Sequence, residues 1–332
     1  MIFLGIESSC DETAAAVLEN GHVRSNCIAT QIEHIKYGGV VPELASRAHI
    51  SKIVDVVQAA LESSGYTVDD VEAVAVTQGP GLVGSLLVGL TFAKAIALSK
   101  KLPLIAINHL EGHLYSAMME NPELKPPFIC MIASGGHSIL ALVREINKIE
   151  ILGQTRDDAA GEAFDKVAKI LDLPYPGGPE IEKMALKGKP DHHTFPVARL
   201  KGNQFDFSFS GLKTAVLYYS KSLSLQEKEH LRPDICASFQ NAVIKALKNN
   251  IILAMEQTGV RQVAFAGGVA QNKTMCGELR EAVINKGGAF FSPGAAYCTD
   301  NAAMIAYAAH LTHRYREPSP DNIRALPNLN LG

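Results

Sequence analysis

Short apolar runs separated by polar turns dominate the first thirty positions of the chain. Ile2 to Ile6 is apolar, Glu7 to Glu12 is polar and small, and Thr13 to Leu18 is apolar again. Asn20-Gly21, a hairpin signal, then precedes Val23 to Ile32. This pattern predicts strand, turn, strand, turn, strand. The same order returns as Phe128 to Ala133, the tight polar turn Ser134-Gly135-Gly136-His137, Ile139 to Val143 and Ile149 to Leu152. Ser8 and Ser134 hold matching places 126 residues apart, which predicts an internal duplication into two similar lobes.

Helix and strand alternate after each set. Val41 to Ser63 (helix), Val71 to Thr77 (strand), Leu82 to Ser99 (helix) and Leu104 to Ile107 (strand) follow the first. After the second come Asp158 to Leu171 (helix), an irregular stretch, Pro233 to Gln257 (helix), Val263 to Ala266 (strand), Lys273 to Asn285 (helix), Ala289 to Phe291 (strand) and Thr299 to Arg314 (helix). This is a mixed α/β pattern, given twice. The expected division is 1–125 for a first lobe and 126–332 for a second, with a basic insertion at about 183–232. Two such lobes facing each other across a cleft would offer a usual place for a ligand. The tail from Glu317, with Pro318, Pro320 and Pro327, reads as extended surface chain.

Composition narrows the class. With 332 residues, 47% hydrophobic and 20% charged, the chain is neither disordered nor in need of disulfide or metal staples. The formal net charge of −3 argues against a uniformly basic nucleic-acid coat. The six cysteines form no C-x-x-C pair and fit a reducing compartment. An N-terminus without a basic region, and apolar runs short of a membrane span, predict a soluble, cytoplasmic protein that meets no membrane.

The strongest chemical constellation is His109-Leu110-Glu111-Gly112-His113, directly after the strand at 104–107. Histidines at i and i+4 share one helix face and can both reach a divalent metal. A pair of surface histidines at a helix start has the same spacing, so a third ligand is needed from elsewhere. A metalloprotease motif requires Glu beside the first histidine, whereas Glu111 stands two residues on, which disfavours that reading. Asp300 opens the last predicted helix, where the helix dipole favours a carboxylate whatever its role. Three glycine loops, Ser134-Gly135-Gly136-His137, Tyr175-Pro176-Gly177-Gly178-Pro179 and Gly267-Gly268-Val269-Ala270-Gln271-Asn272, stand at strand or helix ends and together predict a nucleotide cradle. No Walker A lysine motif is present. Of the carboxylates Asp157, Asp158, Glu162 and Asp165, most read as a solvated face.

These motifs, with Gly5-Ile6-Glu7-Ser8-Ser9-Cys10-Asp11-Glu12-Thr13, Gly161-Glu162-Ala163-Phe164-Asp165-Lys166 and Phe207-Ser208-Phe209-Ser210-Gly211-Leu212-Lys213, closely resemble the tRNA threonylcarbamoyltransferase (TsaD) family, bacterial branch, over almost the whole chain. The resemblance implies an actin-like ATPase (ASKHA) fold of two duplicated RNase H-like lobes around a cleft. It implies transfer of the threonylcarbamoyl group of threonylcarbamoyl-AMP to N6 of adenosine 37, beside the anticodon, in tRNAs reading ANN codons, with release of AMP. His109, His113 and Asp300 would hold one divalent metal ion, Fe2+ ahead of Zn2+, and that metal would tie the first lobe to the second. Ile132, Ala133, Ser134, Gly135 and Gly136 would line the adenylate, with Asp165, Gly178 and Asn272 on its sugar and base. Glu182 stands where many members carry Asp, so it is left out of the site. No general base is assigned; His137 and Glu12 are the candidates considered. The implied partners are tRNA, the smaller paralogue TsaB as a heterodimer and the P-loop ATPase TsaE.

Two rival functions share this pattern: a nucleotide-dependent chaperone or switch of the same fold, and a small-molecule carbamoyltransferase. The metal triad counts against the former, because phosphate-bound Mg2+ prefers oxygen ligands to a histidine pair. Charge distribution revises the opening inference from net charge. Lys183, Lys187, Lys189, Arg199, Lys201, Lys213 and Lys221 face only Asp191 and Asp206 within 183–221, which leaves room for a local tRNA footprint. Phe195, Phe205, Phe207, Phe209, Tyr218 and Tyr219 lie in the same stretch and read mostly as core.

Overall fold

A computed structural model describes residues 1–331 other than 38, 199, 316, 320 and 321, so Arg199 and Pro320 lie outside the described residues. In chain order the strands are β1 (Ile2–Glu7), β2 (Glu12–Glu19), β3 (His22–Thr30), β4 (Ala73–Gly79), β5 (Leu104–Asn108), β6 (Phe128–Ala133), β7 (Ser138–Glu145), β8 (Lys148–Gln154), β9 (Gln262–Ala266) and β10 (Ala289–Phe291). The helices are α1 (Pro42–Ser64), α2 (Val83–Lys100), α3 (His109–Ser116), α4 (Ala160–Ile170), α5 (Gly177–Ala185), α6 (Ser210–Ser222), α7 (Leu225–Thr258), α8 (Lys273–Asn285), α9 (Ala295–Cys298) and α10 (Ala302–Thr312). Two five-stranded sheets run β3-β2-β1-β4-β5 and β8-β7-β6-β9-β10. In each, the first three strands pair antiparallel and the last two join in parallel. The duplication predicted from the repeated pattern is therefore real at the level of topology.

The first unit comprises Met1–Glu123 and Gly294–Gly332. Its central strand β1 is covered on both faces, so its sequence reads as a continuous apolar run rather than an alternating one. Leu4 and Ile6 pack with Ile53, Val56, Val57 and Ala60 of α1 and with Leu90 and Ala93 of α2. The opposite face receives α10: a Cβ on Gly5 would stand 2.5 Å from the Ala302 carbonyl, so only glycine admits the helix so close to the strand. Ala14, Ala16, Ala302 and Ala303 complete that small-residue contact. Pro42 at the first position of α1 and Gly65 (φ 77°) at its end are ordinary start and stop signals.

The return of the chain to the first unit corrects the expected boundary. Residues 294–332, Asp300 among them, belong with 1–123 and not with the second unit, because α10 buries its alanine-rich surface against β1 and β2. A second correction concerns apolar length. The 18-residue α2 is long and apolar enough to cross a membrane by length and composition. In this fold one face of it, with Ser85, Leu86, Gly89, Leu90, Ala93 and Ala97, is buried within the first unit.

The second unit, Leu124–Pro293, is built around the fully buried β6. The helix expected to start at Pro233 begins at Leu225 instead. Ser224 and Glu227 form a reciprocal cap, with the Ser224 amide donating to Glu227 Oε2 at 2.8 Å, and Pro233 then removes only one donor inside a helix already under way. The stretch read as irregular also holds α6, which buries Leu212, Val216 and Ser220 at helical spacing.

Candidate metal centre and nucleotide loops

The histidines owe their position to a strand end and a cap. Asn108 closes β5, and its Oδ1 accepts the Leu110 amide at 2.9 Å, which starts α3. His109 and His113 follow one turn apart, with ring centroids at 4.7 Å and planes at 87°. Asp300 lies in the extended Thr299–Asn301 segment before α10, whose first turn Asn301 caps through Met304 N at 3.0 Å. His113 Nε2 stands 3.1 Å and His109 Nε2 3.4 Å from Asp300 Oδ1. One ligand atom from each of the three residues lies within 4.8 Å of the others. All three belong to the first unit, so the triad does not bridge the units as the sequence reading expected; the chain's return past Gly294 brings Asp300 to the histidines.

The charges of this cluster are tightly paired with one another. Burial would raise the Asp300 carboxyl, but His109 and His113 hold it well below the usual carboxylate range. Burial works against charge on His109, yet Asp300 and Glu7 lift it well above the ordinary imidazole value. Glu12 behaves in the opposite way: burial first, then Asp300 and Asp11, push it up to about 10. Burial also pushes the Cys10 thiol up, which leaves it unreactive. Two imidazoles and a carboxylate, converging in a largely buried site, fit a divalent transition metal and suit iron and zinc alike.

The glycine loops belong to the second unit. Ile132 and Ala133 are fully buried at the end of β6, so only their backbone can meet a ligand. Ser134 and His137 close the turn through Ser134 N to His137 O at 2.8 Å and His137 N to Ser134 Oγ at 3.2 Å. At its tip, Gly135 and Gly136 have open space where a side chain would stand, as does Gly178. That open space against bare backbone fits a nucleotide laid over the loops. Gly161 N donates to Ser134 O at 3.1 Å and Ala160 N to Ser138 Oγ at 2.9 Å, which ties the start of α4 to the turn. Asp165 Oδ1 accepts Gly177 N at 2.7 Å and so fixes the start of α5, where Gly178 lies. Asn272 caps α8 through Met275 N at 2.8 Å and donates to Gln240 Oε1 at 2.7 Å. Glu182 accepts Lys273 N at 2.7 Å, a role in shaping the Asn272 loop that its longer arm permits.

The carboxylates read as a solvated face do more than that. Asp157 accepts Phe209 N at 2.9 Å and Ser210 N at 3.2 Å, anchoring the start of α6. Asp158 is buried between Lys166 and Lys213, each at 2.8 Å. Burial would raise the Asp158 carboxyl, and the two ammonium groups hold it below its usual range. Such a group stabilises the fold above its unfolded value near 3.8 and loses that contribution as pH falls through the lower folded value. Asp158→Asn is expected to cost about 1–2 kcal/mol at neutral pH. The wild-type advantage should narrow on acidification, and thermal melting at a series of pH values reads both effects. A deficit that stays constant down to strong acid would show that the charge is not responsible.

The basic stretch has a mixed fate. Lys213 is committed to Asp158, while Lys187, Lys189 and Lys201 are exposed. Phe195, Phe205, Phe207 and Phe209 are buried, as their core reading expects; Tyr218 is exposed, and Tyr219 stacks on His193 at 4.1 Å. Glu7, within the Gly5–Thr13 motif but given no role by its residue type alone, is fully buried against His109. A lone charge ending the apolar run of β1 was the signal for it.

Comparison with known proteins supplies the family. The sequence model of the TsaD family, tRNA N6-adenosine threonylcarbamoyltransferase, matches residues 22–307. A tRNA N6-adenosine threonylcarbamoyltransferase of Clostridium beijerinckii is 51% identical over 333 residues, covering 100% of this chain and 98% of the relative. One from Caldicellulosiruptor bescii is 46% identical over 333 residues with the same coverage. Among solved structures, T. kodakarensis HypF superimposes with a TM-score of 0.66 at 16% identity, over 95% of this chain and 48% of that one. Component A of the Acidaminococcus fermentans (R)-2-hydroxyglutaryl-CoA dehydratase gives 0.55 at 16%, over 93% and 98%. At such identity these likenesses speak for the actin-like ATPase fold alone, which the paired sheets share. Full-length identity near one half, with His109, His113, Asp300 and the glycine loops all in place, means that the chain belongs to the tRNA N6-adenosine threonylcarbamoyltransferase family.

Proposed function

We propose that this protein transfers the threonylcarbamoyl group of threonylcarbamoyl-AMP to N6 of adenosine 37 in tRNAs reading ANN codons and releases AMP. The observation that carries the reading is the convergence of His109, His113 and Asp300 in a chain whose full-length relatives bear that activity in their names. His109, His113 and Asp300 would hold a divalent ion, Fe2+ ahead of Zn2+. Such an ion, when bound, supplies Lewis-acid polarisation of the threonylcarbamoyl carbonyl or carboxylate. The Ser134–Gly136 turn, Gly178 and the loop before Asn272 would carry the adenylate, with backbone N–H groups toward its phosphate. The exocyclic amine of adenine is a weak nucleophile, so orientation and charge stabilisation contribute more than a strong base.

A tRNA substrate implies a cytoplasmic location. TsaB and TsaE are the proposed protein partners. Exposed apolar pairs at i,i+4, Ile50 and Val54 on α1 and Val83 and Leu87 on the adjoining α2, support a protein docking there. Nucleoside mass spectrometry of tRNA tests the whole reading: the protein is incubated with threonylcarbamoyl-AMP, tRNA and both partners, and each partner is omitted in turn. Modified adenosine only in the complete mixture is the expected result; unmodified tRNA despite bound metal would refute it.

The basic stretch is proposed as the tRNA footprint. Replacing Lys187, Lys189 and Lys201 by Ala should weaken tRNA binding at low salt and reduce the slope of log affinity against log salt by roughly 2–3. An unchanged slope would remove this surface from the interface.

A further inference from the structure

We propose that Glu7 is a positioning residue for the metal ligand His109: its buried carboxylate takes the hydrogen bond of the His109 Nδ1–H and so presents Nε2 to His113 and Asp300. The proposal rests on the reading of His109, His113 and Asp300 as a metal centre. Glu7 ends β1, in a strand that is otherwise apolar and buried, and its side chain has no exposure to solvent. A charge in such a place is costly unless every lone pair has a partner. Three donors meet it: His109 Nδ1 at 2.9 Å and Thr77 Oγ1 at 2.6 Å on Oε2, and the Ser9 amide on Oε1. Ser9 Oγ stands 3.2 Å from the same His109 nitrogen.

The chemistry of a carboxylate settles the orientation of the imidazole. A carboxylate accepts and never donates, so the nitrogen that faces it must carry the proton. With the Nδ1 proton held by Glu7, Nε2, 3.4 Å from Asp300 Oδ1, is the nitrogen that would give up its proton to a metal. A carboxylate behind a ligating histidine fixes its tautomer and raises its basicity. His113 has no such support: its Nδ1 is buried without a protein hydrogen-bond partner. Glu7 and its support on β4, Thr77, therefore single out one of the two imidazoles.

Glutamine cannot reproduce this arrangement. With its carbonyl toward His109 and Thr77, its NH2 group confronts the Ser9 N–H. Reversed, the NH2 group faces Nδ1, which must then give up its proton and pass one to Nε2, where the metal should bind. Both arrangements weaken the site without removing a ligand.

The full chain serves for the test, with Zn2+ and Co2+ alone as probes. Chelator competition should show Zn2+ bound roughly 10–100-fold more weakly by E7Q than by wild type. T77V, which keeps Glu7 but removes the hydroxyl that orients it, should shift in the same direction. In zinc-loaded wild type with labelled histidines, the His109 Nδ1–H should appear as a slowly exchanging resonance, and it should weaken or vanish in E7Q. Equal zinc affinity in wild type and E7Q overturns the proposal, as does a wild-type spectrum in which His109 carries no Nδ1 proton. Should E7Q fail to fold, T77V and the wild-type spectrum decide: unchanged affinity in T77V is then the overturning result. A wild-type chain that binds neither Zn2+ nor Co2+ brings down the metal reading itself, and this proposal with it. Wild-type binding with an indifferent E7Q removes only the role of Glu7.

Discussion

With His109 and His113 both replaced by Ala, the protein is expected to lose stoichiometric metal and to form modified adenosine at least roughly 10³-fold more slowly, the scale of several kcal/mol of Lewis-acid stabilisation. The fold pays a separate cost. Glu7 and Asp300 are buried or nearly so and both face His109, so the double variant leaves two carboxylates short of a cation. Breaking a buried pair of this kind costs about 3–5 kcal/mol. His113→Ala alone separates the two effects, because it leaves the Glu7–His109–Asp300 contacts in place. That single variant should lose most of the metal and activity while melting closer to wild type. Metal content by elemental analysis, product by nucleoside mass spectrometry and stability by thermal melting are the three readouts. Activity retained by the double variant would end the assignment of a metal to these residues.

The second large effect separates the two kinds of glycine in the nucleotide loops. Gly267 has φ of 90°, and a Cβ there would stand 2.4 Å from the Ala133 carbonyl. Gly267→Ala therefore imposes both backbone strain and a clash between the ends of β9 and β6, expected to cost about 2–4 kcal/mol. Gly135 has nothing within 4 Å of its would-be Cβ. Gly135→Ala should leave stability within about 0.5 kcal/mol of wild type. It should nevertheless raise the KM for threonylcarbamoyl-AMP by roughly tenfold, since a loss of about 1.4 kcal/mol in the cradle is worth that factor. Melting and steady-state kinetics on the two variants check the contrast. If Gly135→Ala leaves KM unchanged, the turn at 134–136 does not hold the adenylate.

Much of the fold was legible because local pattern and final burial coincide. The boundaries of β6, α8 and β10 match the sequence expectation residue for residue, since in each a run of apolar spacing is bounded by turn or cap residues. Asn20-Gly21 marks the β2–β3 hairpin, with φ of 52° and 86° at the two positions. The start of α7 was less visible. Pro233 is a strong local signal for a helix start, but the cap at Ser224 and Glu227 lies nine residues upstream among polar residues with no apolar stripe. The helix α6 hid for a similar reason: Ser, Lys and Tyr fill most of its exposed face, so only Leu212 and Val216 betray its period.

In the candidate site, the sequence alone determined the histidine pair, because i and i+4 on one helix is a local relation that backbone geometry imposes. It also placed the glycine turns, since turn chemistry is local too. Which carboxylates join them was a tertiary matter. Asp300 meets the histidines because the chain crosses back after Gly294 and lays α10 on the glycine and alanine surface of the first sheet, a contact between residues almost 300 positions apart. Glu7 reaches His109 because β4 lies between β1 and β5, pairs in parallel with both and sets Thr77 beside the Glu7 carboxylate. Asp158 and Glu12 have the same side-chain type of chemistry, yet two lysines hold one ionised while burial beside other carboxylates keeps the other protonated. Residue types and their spacing set the local elements and the chemistry on offer; the packing of distant segments decided which charges meet, and hence which of those groups can hold a metal, a proton or a helix end.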